Sequence, residues 1–173
     1  MNNTEKFTFT DENLRRAQEL FTKYPTENKR SSILALLDLA QRQNGGWISR
    51  GAVEYVGELL DLPYIRVYEV ASFYSMFNLQ PVGKCLIEVC RTSSCWLCGA
   101  EDIINHLEQK LNIKVGETSS DGMFTLKAVE CLGSCGTAPM MQVGADYHEN
   151  LSIEKVDKLV DGFKQENKQS RYC

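Results

Sequence analysis

The spacing of apolar residues divides the chain into two parts that meet within Leu79–Lys84. Before this stretch, apolar residues recur every three or four positions, which is the spacing of one face of a helix. After it, short β-prone runs alternate with loops that contain cysteines. We therefore predict an α+β protein, with a helical domain over residues 1–79 and a second domain over residues 80–173.

Four amphipathic helices are predicted in the first domain. The first covers residues 11–24 and is stopped by Pro25, and the second covers residues 31–46, between a serine cap and a glycine pair. The third and fourth lie on either side of Pro63, and the short connections favour a compact helical bundle. The Pro63 pair also resembles a helix-turn-helix, but two core-facing helices explain it better because this part of the chain is electrically neutral.

The second domain has the element order of a thioredoxin-like fold. A β-prone run at residues 84–90 is followed by an amphipathic helix at 100–111, an alternating strand at 124–131, a strand or hairpin at 140–149 and a closing helix at 152–166. Strand, helix, strand pair and helix form the core of such a fold. The cysteine-containing stretches then lie in two loops at strand ends.

Charge and composition narrow the class of protein. Residues 1–84 contain ten basic and ten acidic residues and the rest contain nine and thirteen, which gives the net charge of −4. Neither part suits nucleic acid as a partner. No window approaches the ~20 apolar residues of a membrane span, and the N-terminal stretch does not resemble a secretory signal. We therefore expect a reducing compartment, where clustered cysteines are metal ligands or catalytic groups more often than disulfides.

Five of the seven cysteines fall in two short stretches, "CRTSSCWLCG" from Cys90 and "CLGSC" from Cys131. One interpretation is thiol–disulfide exchange, because Cys95 and Cys98 form a C-x-x-C pair just before a helix, whose N-terminus lowers a thiol pKa. Pro139 would then lie in the second loop of such a site. This interpretation leaves the cysteines of the second stretch unexplained.

Two arrangements of an iron–sulfur cluster also fit the spacing. Cys90, Cys95 and Cys98 match the C-x4-C-x2-C of plant-type ferredoxins, with a distant fourth cysteine. Alternatively, Cys90 pairs with Cys95 and Cys131 pairs with Cys135, which gives each iron of a [2Fe–2S] rhomb two thiolates. The first arrangement leaves one cysteine of the second stretch unused, whereas the second uses both.

Zinc is the structural alternative, since it also binds four thiolates at similar spacings. The two histidines do not favour any metal, because His106 lies within a predicted helix and His148 follows a strand, and both are expected at the surface. Gly133 and Gly136 are expected to let the second loop turn its backbone N–H groups toward sulfur. Spacing alone leaves the disulfide, zinc and iron–sulfur interpretations open.

Longer stretches make the chain resemble a known family. It is similar to the E subunits of bacterial respiratory NADH:quinone oxidoreductase, or complex I, a family that also includes diaphorase subunits of NAD-linked hydrogenases and formate dehydrogenases. The resemblance covers nearly the whole chain. The matching stretches are "ILALLDLAQRQNGGWIS", "RVYEVASFYSMFNLQPVGK", "IEVCRTSSCWLCGAEDII", "VECLGSCGTAPMMQV" and "DYHENLS".

The resemblance implies a helical N-terminal segment followed by a thioredoxin-like [2Fe–2S] ferredoxin domain. It also implies the four cluster ligands, which fall here on Cys90, Cys95, Cys131 and Cys135. The family's electron carrier exchanges single electrons with FMN. No G-x-G-x-x-G or P-loop occurs in this sequence, so FMN and NADH are expected on another polypeptide. By resemblance that partner is the F subunit, with the large iron–sulfur G subunit beside it.

The resemblance further implies a subunit of an oxidoreductase with no substrate site of its own, in the cytoplasm and peripheral on the inner face of the membrane, or on the matrix side in a mitochondrial homologue. The alternatives are a diaphorase subunit and, more remotely, a zinc-bound module or a thiol–disulfide oxidoreductase. The helical segment, with its aromatic residues Tyr68, Phe73, Tyr74 and Phe77, is expected to contribute core packing or a docking surface.

Two positions depart from the family pattern. Cys98 stands where the family usually has Arg, and Gly136-Thr137 stand where Val-Asn is usual. The first places a spare thiol beside the cluster and the second changes the loop that shields it, but neither removes a ligand. Cys85 is interpreted as a buried thiol within a strand, and the sequence gives no role to Cys173.

Overall fold

Seven α-helices and one four-stranded sheet make up the computed structural model, which describes residues 6–165. The predicted α+β class is confirmed by these elements. The chain divides into two compact units between Pro81 and Val82. Each unit has a hydrophobic core of its own.

The first unit contains the four predicted helices: α1 Asp11–Thr22, α2 Ile33–Gln43, α3 Arg50–Leu60 and α4 Tyr64–Phe73. Side chains cap two of them, since Thr10 accepts from the Asn13 N–H and Ser49 accepts from the Ala52 N–H. The predicted serine cap of α2 is wrong. A 3₁₀ segment, Thr26–Ser32, runs into α2 instead, and the Ser32 hydroxyl donates back to the Lys29 carbonyl at 2.7 Å.

The core of the first unit is built from one face of each helix. Ala17, Leu36, Leu37, Val56 and Val67 are completely buried. Each large aliphatic side chain removed from water in this way contributes about 1.5–3 kcal/mol. The aromatic run divides between core and surface. α4 ends at Phe73, which stays 79% exposed, whereas Phe77 lies beyond the helix and is buried in the core.

A buried amide pair holds the segment that follows α4 against α2. The Gln41 side chain accepts from the backbone N–H of Asn78 at 2.7 Å and donates to the Met76 carbonyl at 3.0 Å. The Asn78 side chain donates to the Gly46 carbonyl at 2.8 Å. The bonds to the Asn78 N–H and the Gly46 carbonyl are buried, so they satisfy backbone groups that water cannot reach.

Replacing Gln41 by leucine is therefore expected to destabilise the chain by about 1–3 kcal/mol, because the substitution removes the acceptor of a buried N–H. Urea unfolding of the full chain measures the change. Gln109→Leu is the matched control, since Gln109 is an exposed glutamine within a helix. Equal unfolding midpoints for Gln41→Leu and the control would contradict the assigned role of this amide.

The second unit is built on a sheet with the strand order β2-β1-β3-β4. Its strands are β1 Cys85–Cys90, β2 Phe124–Val129, β3 Met141–Val143 and β4 Asp146–His148. β1 runs parallel to β2 and antiparallel to β3, and β3 forms a hairpin with β4. The predicted strand-or-hairpin segment is thus a hairpin.

Three helices accompany this sheet: α5 Ser93–Leu97, α6 Ala100–Leu111 and α7 Ile153–Gln165. Leu107 of α6 and Val160 of α7 belong to the same buried cluster as Ile87 of β1. The short helix α5 was not predicted, because five residues are too few to show a helical period. Asp157 of α7 joins α6 by binding His106 at 2.8 Å and Lys110 at 2.9 Å.

Two cysteines lie apart from the clustered five. Cys85 is completely buried in β1, as predicted, but it is disulfide-bonded rather than an ordinary thiol. Cys173 lies outside the described residues.

Candidate metal centre

The strand pairing brings the two cysteine stretches to one edge of the sheet. Cys90 is the last residue of β1 and is in register with Val129, the last residue of β2. Because these neighbouring strands are parallel, the loops that follow them leave the sheet at the same end. Cys131 therefore begins its loop next to the loop that carries Cys95, although some forty residues separate them in the sequence.

The first pair of thiols, Cys90 and Cys95, is buried. Helix α5 turns the chain back after β1, so that Cys95 returns to within hydrogen-bonding reach of Cys90. Each of the two is 2% exposed, and both pack against Met140 and Ala100. This pair thus belongs to a small buried cluster beneath the loop.

The second pair, Cys131 and Cys135, is exposed, and its sulfur atoms lie 3.5 Å apart. Gly133 shapes the turn between them, with a φ of 86° that favours glycine. Its backbone N–H points back at the Cys131 sulfur, at 3.4 Å. Gly136 is not among the described residues with positive φ, and its expected role stays a prediction.

Hydrogen bonds join the two pairs into one group. The Thr92 hydroxyl lies 3.3 Å from the Cys90 sulfur and also bonds to the Cys131 thiol. The Ser94 side chain bonds to the Cys135 thiol. The backbone N–H of Leu132, in the second loop, bonds to Cys90 in the first. Thr92 and Leu132 therefore link the buried Cys90 thiol to the loop of the second pair.

The pKa values of the buried pair move in opposite directions. Burial raises the pKa of Cys90, but hydrogen bonds from the Thr92 side chain, the Thr92 backbone and the Leu132 backbone outweigh it, and the pKa is lowered. Burial and the neighbouring Cys90 raise the pKa of Cys95 to about 11. One thiol thus loses its proton readily while its neighbour keeps one.

The exposed pair shows the same division. Hydrogen bonds from the Gly133 N–H and then from Cys135 lower the pKa of Cys131, and contact with Cys131 raises the pKa of Cys135. In each pair the second deprotonation places two negative sulfurs side by side. Cations at these positions would relieve that repulsion, so the donor set suits metal ions that prefer thiolates.

The four thiols fall into two pairs, with a thiol–thiol contact within each pair. Among residues 6–165, no three Cys, His, Asp or Glu side chains converge as a site for a single ion. A structural zinc ion needs four ligands around one point. A [2Fe–2S] rhomb needs two thiolates for each of two irons, and the two pairs fit that requirement.

Cys98 lies at the C-terminal end of α5, where its thiol is exposed. Within the described residues, no thiol hydrogen bond joins it to the other four cysteines. A C-x-x-C exchange site needs a nucleophile with a lowered pKa, whereas Cys95 has its pKa raised to about 11. The burial of Cys95 and its raised pKa therefore disfavour the thiol–disulfide interpretation.

Neither histidine belongs to the centre. His106 binds Asp157, and His148 packs edge-on against the Phe163 ring. Both are half-buried, so the prediction that they are surface residues was wrong in part. Sequence reasoning also missed Thr92 and Ser94, although their place between two cysteines was a usable signal.

Comparison with known proteins bears directly on these pairs. The family of thioredoxin-like [2Fe–2S] ferredoxins matches residues 17–164. The chain belongs to this family. Its [2Fe–2S] cofactor agrees with the two thiol pairs described above, and its fold agrees with the sheet and helices of the second unit.

Two curated relatives of this ferredoxin are similar over most of their length. The E subunit of the NADH-quinone oxidoreductase of Rickettsia felis is 55% identical over 157 residues, which are 91% of this chain and 94% of the relative. The protein of the same name from Rickettsia prowazekii is 52% identical over 162 residues, which are 94% of this chain and 92% of the relative.

Among solved structures, an NAD⁺-reducing [NiFe]-hydrogenase in the H₂-reduced state has a similar fold, with a TM-score of 0.70 at 20% sequence identity. The match covers 79% of this chain and 23% of the hydrogenase chain. The same hydrogenase in the air-oxidised state gives a TM-score of 0.69. The likeness is one of fold.

Proposed function

We propose that this ferredoxin is the electron-transfer subunit of an NADH:quinone oxidoreductase, and that it exchanges single electrons with FMN on a neighbouring NADH-binding subunit. The observation that carries the proposal is the arrangement of four thiols as two pairs at one edge of the sheet. Relatives that are named as the E subunit of this oxidoreductase, and are more than half identical to the chain, support it.

Cys90, Cys95, Cys131 and Cys135 would hold one [2Fe–2S] cluster. The cluster supplies a one-electron acceptor and donor. The protein contributes packing around the buried pair and N–H···S hydrogen bonds, such as the one from Gly133, which stabilise negative charge on sulfur.

The exposed pair supports a partner approaching at this end of the sheet. Cys131 and Cys135 are open to solvent, whereas Cys90 and Cys95 are not. Trp96 and Leu97, in helix α5 beside Cys95, are 57% and 75% exposed, which is unusual for large apolar side chains. A subunit that carries FMN and binds NADH would cover this surface, with a large iron–sulfur subunit adjoining it.

The helical unit is proposed as a second docking surface. Ile65, Phe73 and Met76 of this unit are more than half exposed. None of the helices within residues 6–165 is long and apolar enough to span a membrane. We propose a position in the peripheral arm of the complex, on the inner face of the membrane.

Visible and EPR spectroscopy of the purified full chain tests the proposed function. We expect brown-red protein with about two irons per chain, visible absorption that bleaches with dithionite, and an EPR signal in the reduced state. A colourless protein with stoichiometric zinc would overturn the proposal in favour of a structural zinc module.

A further inference from the structure

The second cysteine loop is anchored by a carboxylate from a distant part of the chain. Glu149 follows β4, and its Oε1 accepts from the Thr137 hydroxyl at 2.6 Å and from the Ser134 hydroxyl. These two hydroxyls flank Cys135 on both sides. Thr137 is also one of the positions at which the chain departs from its family's usual Val-Asn pair.

Backbone bonds reinforce this anchor. The Asn150 N–H donates to the Thr137 carbonyl at 2.7 Å, and the Leu151 N–H donates to the Pro139 carbonyl at 2.9 Å. The Ser134 and Thr137 hydroxyl oxygens lie 2.7 Å apart, which places both beside the one carboxylate oxygen. The short segment from Glu149 to Leu151 therefore fixes the turn that presents Cys135.

The anchor also carries charge. Hydrogen bonds from Ser134 and then Thr137 lower the pKa of Glu149, so the carboxylate is ionised at neutral pH. Lys155 donates to the backbone carbonyl of Glu149, and its positive charge also lowers the pKa of the carboxylate. A fixed negative charge beside the loop opposes the arrival of an electron on the sulfur ligands.

We propose that Glu149 is a positioning residue for Cys135 and that its negative charge keeps the reduction potential of the centre low. The inference rests on the proposed function, since it needs a cluster on the four cysteines. Glu149 touches neither the cluster position nor a ligand sulfur in the described structure; it acts through Ser134 and Thr137.

Two substitutions separate the charge from the anchor. In Glu149→Gln the amide oxygen can still accept from both hydroxyls but the charge is lost. We expect a normal EPR signal and a higher midpoint potential. At the wild-type midpoint, the ratio of reduced to oxidised cluster should rise about threefold to tenfold for one unit charge in a partly exposed setting. A tenfold change in this ratio corresponds to about 59 mV.

Glu149→Ala removes the anchor as well. In the cluster-free full chain, we expect faster amide hydrogen exchange over residues 131–139 in Glu149→Ala than in Glu149→Gln, with the two alike elsewhere. Glu130→Gln is the matched control for the potential, because Glu130 directly precedes Cys131 but its side chain is 75% exposed. Because solvent screens this exposed carboxylate, Glu130→Gln should raise the ratio less than Glu149→Gln does.

Each outcome decides one point. If the wild type is coloured and Glu149→Gln has the same midpoint potential, the proposed effect of the Glu149 charge is wrong. If amide exchange over residues 131–139 is the same in Glu149→Ala as in Glu149→Gln, the proposed anchoring role is wrong. Equal shifts in Glu149→Gln and Glu130→Gln would show a general effect of net charge and overturn the specific role. A wild type without a cluster overturns the proposed function, and with it this inference.

Discussion

Replacing Cys135 by serine is expected to lower the content of [2Fe–2S] cluster by more than about tenfold, since loss of a hydrogen-bonding partner outside the ligand set can already cost 10–100-fold in metal affinity. Cys135 lies 3.5 Å from Cys131 and completes the exposed pair. A serine oxygen is a harder and more basic ligand than sulfur for iron. Any cluster that survives should show an altered EPR signal in the reduced protein.

Cys98→Arg is the matched substitution for this test. Cys98 is exposed at the end of α5, and its replacement by Arg restores the residue that is usual in the family. The EPR signal should therefore be retained. The added positive charge should raise the reduction potential slightly, because the reduced centre is the more negative state. The plant-type arrangement requires the reverse pattern, with cluster loss in Cys98→Arg and a nearly silent Cys135→Ser.

Deleting residues 1–79 is expected to leave a coloured ferredoxin domain that binds its FMN-containing partner at least about 100-fold more weakly. Loss of the apolar residues at the centre of an interface commonly reduces affinity by this much. The two units have separate cores, so the second unit retains its own packing around Ile87 and Leu107. Affinity is measured by calorimetry with the purified NADH-binding subunit.

Phe73→Ser in the full chain controls for loss of the whole unit. Phe73 is 79% exposed, so its replacement should leave the fold intact while weakening the same contact. Undiminished affinity of the truncated domain would show that the helical unit is not a docking surface. Loss of colour on truncation would show instead that the second unit depends on the first for its fold.

The sequence predicted the elements of both units because their apolar residues follow clear periods. The period of Ile103, Leu107 and Leu111 located α6, and the alternation of Phe124 and Leu126 located β2. The prediction failed where local signals compete. A serine before an apolar run indicated a helix cap, but Ser32 lies at the end of a 3₁₀ segment and bonds backward to Lys29.

The candidate site was only partly readable from the sequence. Spacing narrowed the five clustered cysteines to a few ligand sets, and the family resemblance selected Cys90, Cys95, Cys131 and Cys135, a choice that stays a prediction. Spacing could not choose among the sets, because it measures separation along the chain and not distance between sulfur atoms.

By itself, the sequence determined the α+β class, the family and the residues able to bind a metal, since periodicity and motif spacing are local properties of the chain. Only the tertiary structure decided that Cys95 is buried, that Cys135 is exposed and that Glu149 anchors Ser134 and Thr137. These relations arise because β1 and β2 pair in parallel and the β3–β4 hairpin returns the chain to the same edge. Contacts made by such pairing join residues far apart in sequence, and no local pattern records them.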